Sequence, residues 1–140
     1  MASVGVPVAE SGAAEPEVMP KRLGPCPSSP NCVSSYDPDP SHHVVAFQIA
    51  IPAADAWRLV LEVVKELSRT RVVEATDSYL RAECTSAIFR FVDDLELELR
   101  AGEGVIAVRS ASRKGYGDFG VNRRRVERLR EVLRSRGVVK

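Results

Sequence analysis

The chain is poor in the side chains that most often carry out chemistry. Its 140 residues hold two histidines, three cysteines and one tryptophan. His42 and His43 begin the first ordered strand, where an exposed or capping role suits them better than that of a base. No window approaches the ~18–20 consecutive apolar residues of a transmembrane helix, so no membrane-spanning segment is expected. Residues 1–20 contain no Lys or Arg, so they lack the basic-then-apolar layout of a signal peptide and argue against a transit peptide. As it stands the chain reads as soluble, unexported and cytoplasmic, with export or a plastid open if a leader was removed. Walker A and dinucleotide fingerprints are both missing, and no cofactor is implied. Ser34, Ser35, Ser110 and Ser112 lie in no nucleophile elbow.

What is present fits one domain with a single hydrophobic core. Charge is unevenly spread. Residues 1–108 carry 9 Lys/Arg against 16 Asp/Glu, and residues 109–140 carry 11 against 3. A basic final helix lying over an acidic body explains this asymmetry most simply. No aromatic platform or reader motif accompanies the basic residues, so nucleic acid is not an expected partner. Cys26 and Cys32 are close enough in sequence to bridge if their loop folds back. Their spacing is not that of common zinc sites, and His42 and His43 would be needed for a four-ligand set, so no metal is expected. Free thiols are the default in a reducing compartment; a disulfide suits an exported protein.

Three regions follow from composition. Residues 1–20, rich in Ala, Val, Pro and Glu without a period, read as a disordered tail. Residues 21–42, dense in Pro, Ser and Cys, read as an extended segment. Residues 43–140 read as one α+β domain in the order β-α-β-β-β-β-α. The expected architecture is an antiparallel meander with both helices packed on one face. A first strand places Val45, Phe47, Ile49 and Ile51 on one face, and an amphipathic helix carries Trp57, Val60, Leu61, Val64 and Leu67. A hairpin turning at Asp77-Ser78 sets Val73 opposite Ala82, Ala75 opposite Leu80 and Glu74 opposite Arg81. The longest strand turns Phe89, Phe91, Leu95, Leu97 and Leu99 to one side. A return strand points Ile106, Val108, Ser110 and Ser112 inward. A final helix from about Phe119 to Arg136 has a stripe of Val126, Leu129 and Leu133, with Asn122 on it.

Asp93 breaks the pattern, because its parity puts a carboxylate on the apolar face. Such a group is costly unless it is bonded. Ser110, Ser112, Asn122 and the nearby arginines are candidate partners, and Arg125, bordering the stripe, is best placed to reach inward. A two-residue loop at Ala101-Gly102 would set Asp93 opposite Ser110 and Asp94 opposite Arg109; a four-residue loop shifts these pairs by two without changing faces. The corner that follows offers Gly115, Gly117 and Gly120 for tight turns and Asp118 as an N-cap. With Arg113, Lys114 and Arg123 beside it, the helix start is a candidate anion site. Arg124–Glu127 and Arg128–Glu131 are spaced to pair on the helix surface. Cys84 shares the inward face of its strand and reads as a small core residue.

Three motifs together, C-P-x-S-P-N-C-V-S-S, F-x-D-D-x-E and R-S-x-S-R-x-G-Y-x-D-x-G-x-N-R-x-R, resemble the domain-of-unknown-function 1499 family. The resemblance runs from about Leu23 to Leu133. Carried onto this chain, the motif positions are Cys26, Asn31, Cys32, Ser34 and Ser35, then Asp93 and Asp94. They continue with Arg109, Ser110, Ser112, Arg113, Gly115, Tyr116, Asp118, Gly120, Asn122, Arg123 and Arg125. The resemblance implies a family of bacteria and photosynthetic eukaryotes, often behind an export or membrane segment, and brings no established activity. Three functions stay open. A binding module would take a small anionic ligand or a partner segment at Arg109, Ser110, Ser112, Arg113, Tyr116, Asn122, Arg123 and Arg125. An enzyme would use Asp93 or Asp94 as acid or base. A structural or assembly domain would use the motifs as internal latches.

Overall fold

A computed structural model describes residues 21–115 and 117–140. The tail expected over 1–20, and Tyr116 as a candidate ligand residue, lie outside the described residues. Alternating apolar residues build the middle of one sheet. β3 (Thr70–Ala75), β4 (Tyr79–Thr85), β5 (Val92–Arg100) and β6 (Val105–Ser112) are successive antiparallel neighbours. The outer edge of β6 is covered in two pieces, β1 (Cys32–Ser34) against Arg109–Ala111 and β2 (Phe47–Gln48) against Val105–Ile106. The result is a six-stranded sheet, ordered β1-β6-β5-β4-β3 with β2 also on β6.

The expected α+β meander is present, with α1 (Ala53–Glu66) and α2 (Val121–Ser135) packed against one face. Period-3.6 spacing directs Val60, Val63 and Val64 of α1 and Val126, Leu129 and Leu133 of α2 onto that face. There they bury Leu80, Ala82, Leu95, Leu97, Ile106 and Val108 of the sheet. Each large aliphatic side chain sealed in this layer contributes roughly 1.5–3 kcal/mol. The segment at 21–42 wraps over the opposite face, where Leu23 and Tyr36 join Tyr79 and Ala107 in a small second cluster. Among the described residues, no helix is long and apolar enough to cross a membrane.

The corrections lie at strand ends and registers. The strand expected over 45–51 is only the two residues of β2, and Val45 is 60% exposed while Val44 is buried. The chain there is drawn aside by a parallel bridge between Ser34 and His43. The long strand starts only at Val92, leaving Phe89 and Phe91 exposed. Ser86 closes the tip ahead of it: its N–H bonds the Phe91 carbonyl at 2.9 Å, and its Oγ accepts the Phe91 N–H at 2.9 Å. Ala75 faces Leu80 and Glu74 faces Arg81 as expected, but a bulge between Val72 and Glu74 puts Val72, not Val73, opposite Ala82. Residues 101–104 join β5 to β6, with Gly104 in the left-handed region at φ 69°. That longer connection places Asp93 opposite Ser112 and Asp94 opposite Ala111.

Candidate functional site

Asp93 is buried on the inner face, as its parity demands, and it is paired. The Arg125 Nη2 donates to its Oδ2 at 2.8 Å, with both side chains largely withdrawn from solvent. Helical spacing puts Arg125 one turn past Asn122, so the same guanidinium also donates to Asn122 Oδ1 (2.8 Å) and Ser110 Oγ (3.1 Å). Asn122 is wholly buried and has both ends of its amide occupied. Its Oδ1 accepts from Ser110 Oγ at 2.6 Å, while its Nδ2 faces Asp118 Oδ2, Ser112 Oγ and the Asn31 carbonyl at 2.8–3.1 Å. β5, β6, α2 and the start of β1 are thereby tied at one point. Asp118 then orders the helix entry by accepting the N–H groups of Gly120 (2.9 Å) and Asn122 (3.0 Å). The helix opens after Gly120, two residues later than an Asp118 cap would place it. Burial alone would raise the Asp118 pKa, but the bonds from Asn122 and Gly120 outweigh it and hold the carboxyl below its ordinary value.

Beside this network the inner face opens. Between the start of α2 and the ends of β3 and β4 lies a cleft of about 450 Å³. Cys84 and Asp93, cross-strand partners, lie at its floor with Arg125; Arg69, Arg124 and Arg128 line it above them. Asp93 is the one carboxylate among the lining residues, and Arg125 already holds it. Leu67, Ala87, Val121 and Leu129 supply apolar wall. The arginines are free for this role because the helix pairs differently from the expected spacing. Glu127 bonds Arg130 and Glu131 bonds Arg134, each at 2.9 Å, in place of Arg124 and Arg128. An acid N-terminal to its base is the favoured orientation on a helix. Arg124 donates only to the Phe119 carbonyl (2.7 Å), and Arg128 has no ion pair or hydrogen bond among the described residues. Arg69 donates to the Thr85 carbonyl at 3.2 Å. Burial raises the pKa of the Cys84 thiol, so it is a poor nucleophile near neutral pH.

The other candidates lie elsewhere. Asp94, Arg109 and Arg113 are on the far face of the sheet, in a ladder of ion pairs. Arg113 bonds Asp94 at 2.8 Å and Glu83 at 2.6 Å, Arg81 bonds Asp94 at 3.2 Å, and Arg109 meets Glu96 at 3.4 Å. The expected Asp94–Arg109 pair is absent because the four-residue connection shifts the register. Hydrogen bonds from Arg113 lower the Asp94 pKa against its partial burial. Both candidate acid-base carboxylates are thus engaged by arginines, which counts against either acting as a base. Arg123 is spent on the backbone, donating to the His43 and Ser41 carbonyls at 2.9 and 3.1 Å. Lys114 remains exposed at the corner.

The front motif is a set of latches. Cys26 and Cys32 form a disulfide, a bond that persists in oxidising surroundings. Asn31 donates to the Gly115 carbonyl at 2.8 Å, Ser34 Oγ to the Gly24 carbonyl at 2.7 Å, and Ser35 Oγ accepts the Val108 N–H at 3.0 Å. His42 is buried with its Nδ1 3.0 Å from the Cys32 carbonyl oxygen, and the Nδ1 of exposed His43 is 3.0 Å from that of Asp37. Ligand atoms of Cys26, Asp37 and His42 lie within 4.8 Å of one another, but in the disulfide Cys26 has no thiolate to offer a metal. The residues missed from sequence are Arg69, Arg124, Arg128 and the cleft position of Cys84. Val121, Arg124, Arg125, Arg128 and Leu129 do follow one helical face, a signal that could have found two of the arginines. Nothing local marks Arg69.

The family described as Protein of unknown function (DUF1499) matches residues 22–133, and the chain belongs to it. No curated protein and no solved structure matches the chain.

Proposed function

We propose that this DUF1499-family chain is a binding module whose cleft takes a small organic anion, a carboxylate or phosphate carrying an apolar portion. One observation supports the reading above the rest: among the described residues Arg69, Arg124 and Arg128 line the cleft without a carboxylate partner, and the one acid lining it is held by Arg125. A guanidinium presents a planar fork of donors suited to carboxylate and phosphate oxygens. The apolar wall of Leu67, Ala87, Val121 and Leu129 suits a ligand that is not charged throughout. The site differs from the one anticipated at Arg113 and Arg123, since both of those are occupied by internal partners. The latch network beneath serves the cleft by holding Arg125 and the start of α2 in place.

The test is thermal unfolding with inorganic phosphate, nucleotides and organic acids in turn. A true ligand at 100-fold over its Kd stabilises by about 2.7 kcal/mol, a shift of several degrees. Arg128→Ala should abolish the shift, whereas Arg123→Ala should lower the melting temperature and keep it. Silence across the whole ligand set would remove the proposal.

A further inference from the structure

The end of the sheet that carries the cleft also carries the most exposed apolar side chains of the described residues. Ile88, Phe89 and Phe91 at the β4–β5 tip are 81%, 73% and 62% exposed, and Phe119 before α2 is 96% exposed. Phe89 and Phe91 stack on each other at 5.6 Å, forming one apolar knob. The tip and the α2 entry stand on either side of one opening, because Ala87 and Val121 both line the cleft. Single exposed apolar residues need no explanation, but a contiguous group with a polar rim marks an interaction surface.

Two further features describe the partner. Cations dominate the rim: Arg69, Arg90, Arg124 and Arg128 are exposed there, and none of the four pairs with a carboxylate among the described residues. The acids nearby are already engaged, Glu83 by Arg71 and Arg113 and Asp118 by the N–H groups of Gly120 and Asn122. The three non-glycine residues with positive φ, Arg69 (50°), Arg90 (60°) and Phe119 (54°), all sit in these loops. Glycine would occupy such positions more easily. Bulky cationic and aromatic side chains kept there against backbone preference point to a use for the side chains themselves.

We infer that this end of the molecule docks on an anionic bilayer surface. Ile88, Phe89, Phe91 and Phe119 enter the boundary between headgroups and acyl chains, and the arginines lie at the level of the lipid phosphates. Apolar residues flanked by arginines are the pattern that binds such interfaces, through buried area and attraction to anionic lipid together. A second copy of the chain fits less well, since a two-fold contact through this patch would bring its arginines against themselves. The inference goes beyond the cleft proposal and does not depend on it, because Arg90, Phe89 and Phe119 are not among the cleft-lining residues.

The experiment is co-sedimentation of the full chain with vesicles of phosphatidylcholine alone and with vesicles in which phosphatidylglycerol replaces part of it, giving an anionic surface. Binding is expected only with the anionic lipid, falling as salt is raised. Arg90→Gly and Phe119→Gly together, and separately Phe89→Ser, should weaken binding by about tenfold or more. In the glycine pair the melting temperature should stay level or rise, and any shift given by a small anion should be unchanged. Wild-type protein that ignores anionic vesicles overturns the inference, as does glycine-variant protein that binds them equally. Concentration-dependent dimerisation abolished by Phe119→Gly, or capture of a single-stranded oligonucleotide without vesicle binding, overturns it in favour of that other partner.

Discussion

The two ends of the sheet are built on different principles. At one end the chain turns through 76–78 and 101–104, with Asp77 and Glu103 as the charged residues and no cation. Those turns are closed by groups suited to turning. Thr76 Oγ1 accepts the Tyr79 N–H at 3.0 Å, and Gly104 takes the left-handed conformation that glycine adopts at little cost. At the other end lie 67–69, 86–91 and 113–120, with Arg69, Arg90, Arg113 and Lys114 against Asp118. There the left-handed positions hold Arg69, Arg90 and Phe119 as well as Gly115 and Gly120. Gly115 and Gly120, at φ 83° and 78°, stand where any side chain would be strained, and a Cβ at Gly120 would also lie 3.0 Å from the Arg124 guanidinium. One end is thus assembled for economy of folding. The other carries charge, exposed aromatic surface and backbone strain, offset by the latch of Asp93, Asn122 and Arg125 beneath it.

The most severe way to break this contrast is to cut the latch. Arg125→Met leaves Asp93 buried and unpaired, and should cost about 3–5 kcal/mol in urea unfolding. Adding Asp93→Asn to Arg125→Met should recover part of that loss, and a coupling near zero in the double-mutant cycle would show that the pair is not a unit. Next in size, Cys26→Ser with Cys32→Ser should lower stability by about 2 kcal/mol, the entropy of a short closed loop. Dithiol reduction of the wild type should reproduce the loss. Asp118→Ala should cost about 1 kcal/mol, because the Gly120 and Asn122 N–H groups at the helix entry lose their acceptor. Because the folded Asp118 pKa lies below its ordinary 3.8, the charge-dependent part of that difference is present above about pH 4 and fades as pH falls through the folded value. Urea midpoints from pH 6 to pH 2 would show the wild-type and variant curves converging; parallel curves would show that the Asp118 charge does not hold the helix entry.

The smallest expected effects lie at the left-handed positions. Arg90→Gly and Phe119→Gly should each stabilise by about 0.5–1 kcal/mol, as relief of left-handed strain exceeds the added flexibility of the unfolded chain. Asp77→Ala at the economical end should stay within about 0.5 kcal/mol and leave ligand and vesicle binding untouched. If the glycine variants are destabilised instead, the side chains are structural and the contrast between the ends weakens.

Alternation over residues 92–112 makes the inward position of Asp93, Ser110 and Ser112 legible in the sequence, because side-chain parity survives a register shift of two. The helical stripe likewise showed Asn122 facing the core and Arg125 beside it. The pairs across β5 and β6 were not legible in the same way. They depend on whether the connection closes over two residues or four, and Gly104 decides that only once both strands are in place. The ends of strands escape the pattern for a related reason: Phe89 and Phe91 continue the alternation in composition, but Ser86 closes the hairpin before they can join it.

From local periodicity and residue chemistry alone came the α+β meander, the two helices, the carboxylate on the apolar face and the guanidinium within its reach. Those features repeat along a short stretch of chain and need no distant partner to define them. Only the tertiary structure decided that Arg113 turns to the far face while Arg124, Arg128 and Arg69 share a cleft, and that the exposed phenylalanines stand around its mouth. Those outcomes depend on which of several equivalent cations the folded chain sets nearest each carboxylate, and on which loops emerge from the same end of the sheet. Distances between remote segments set both, and spacing along the chain does not encode them.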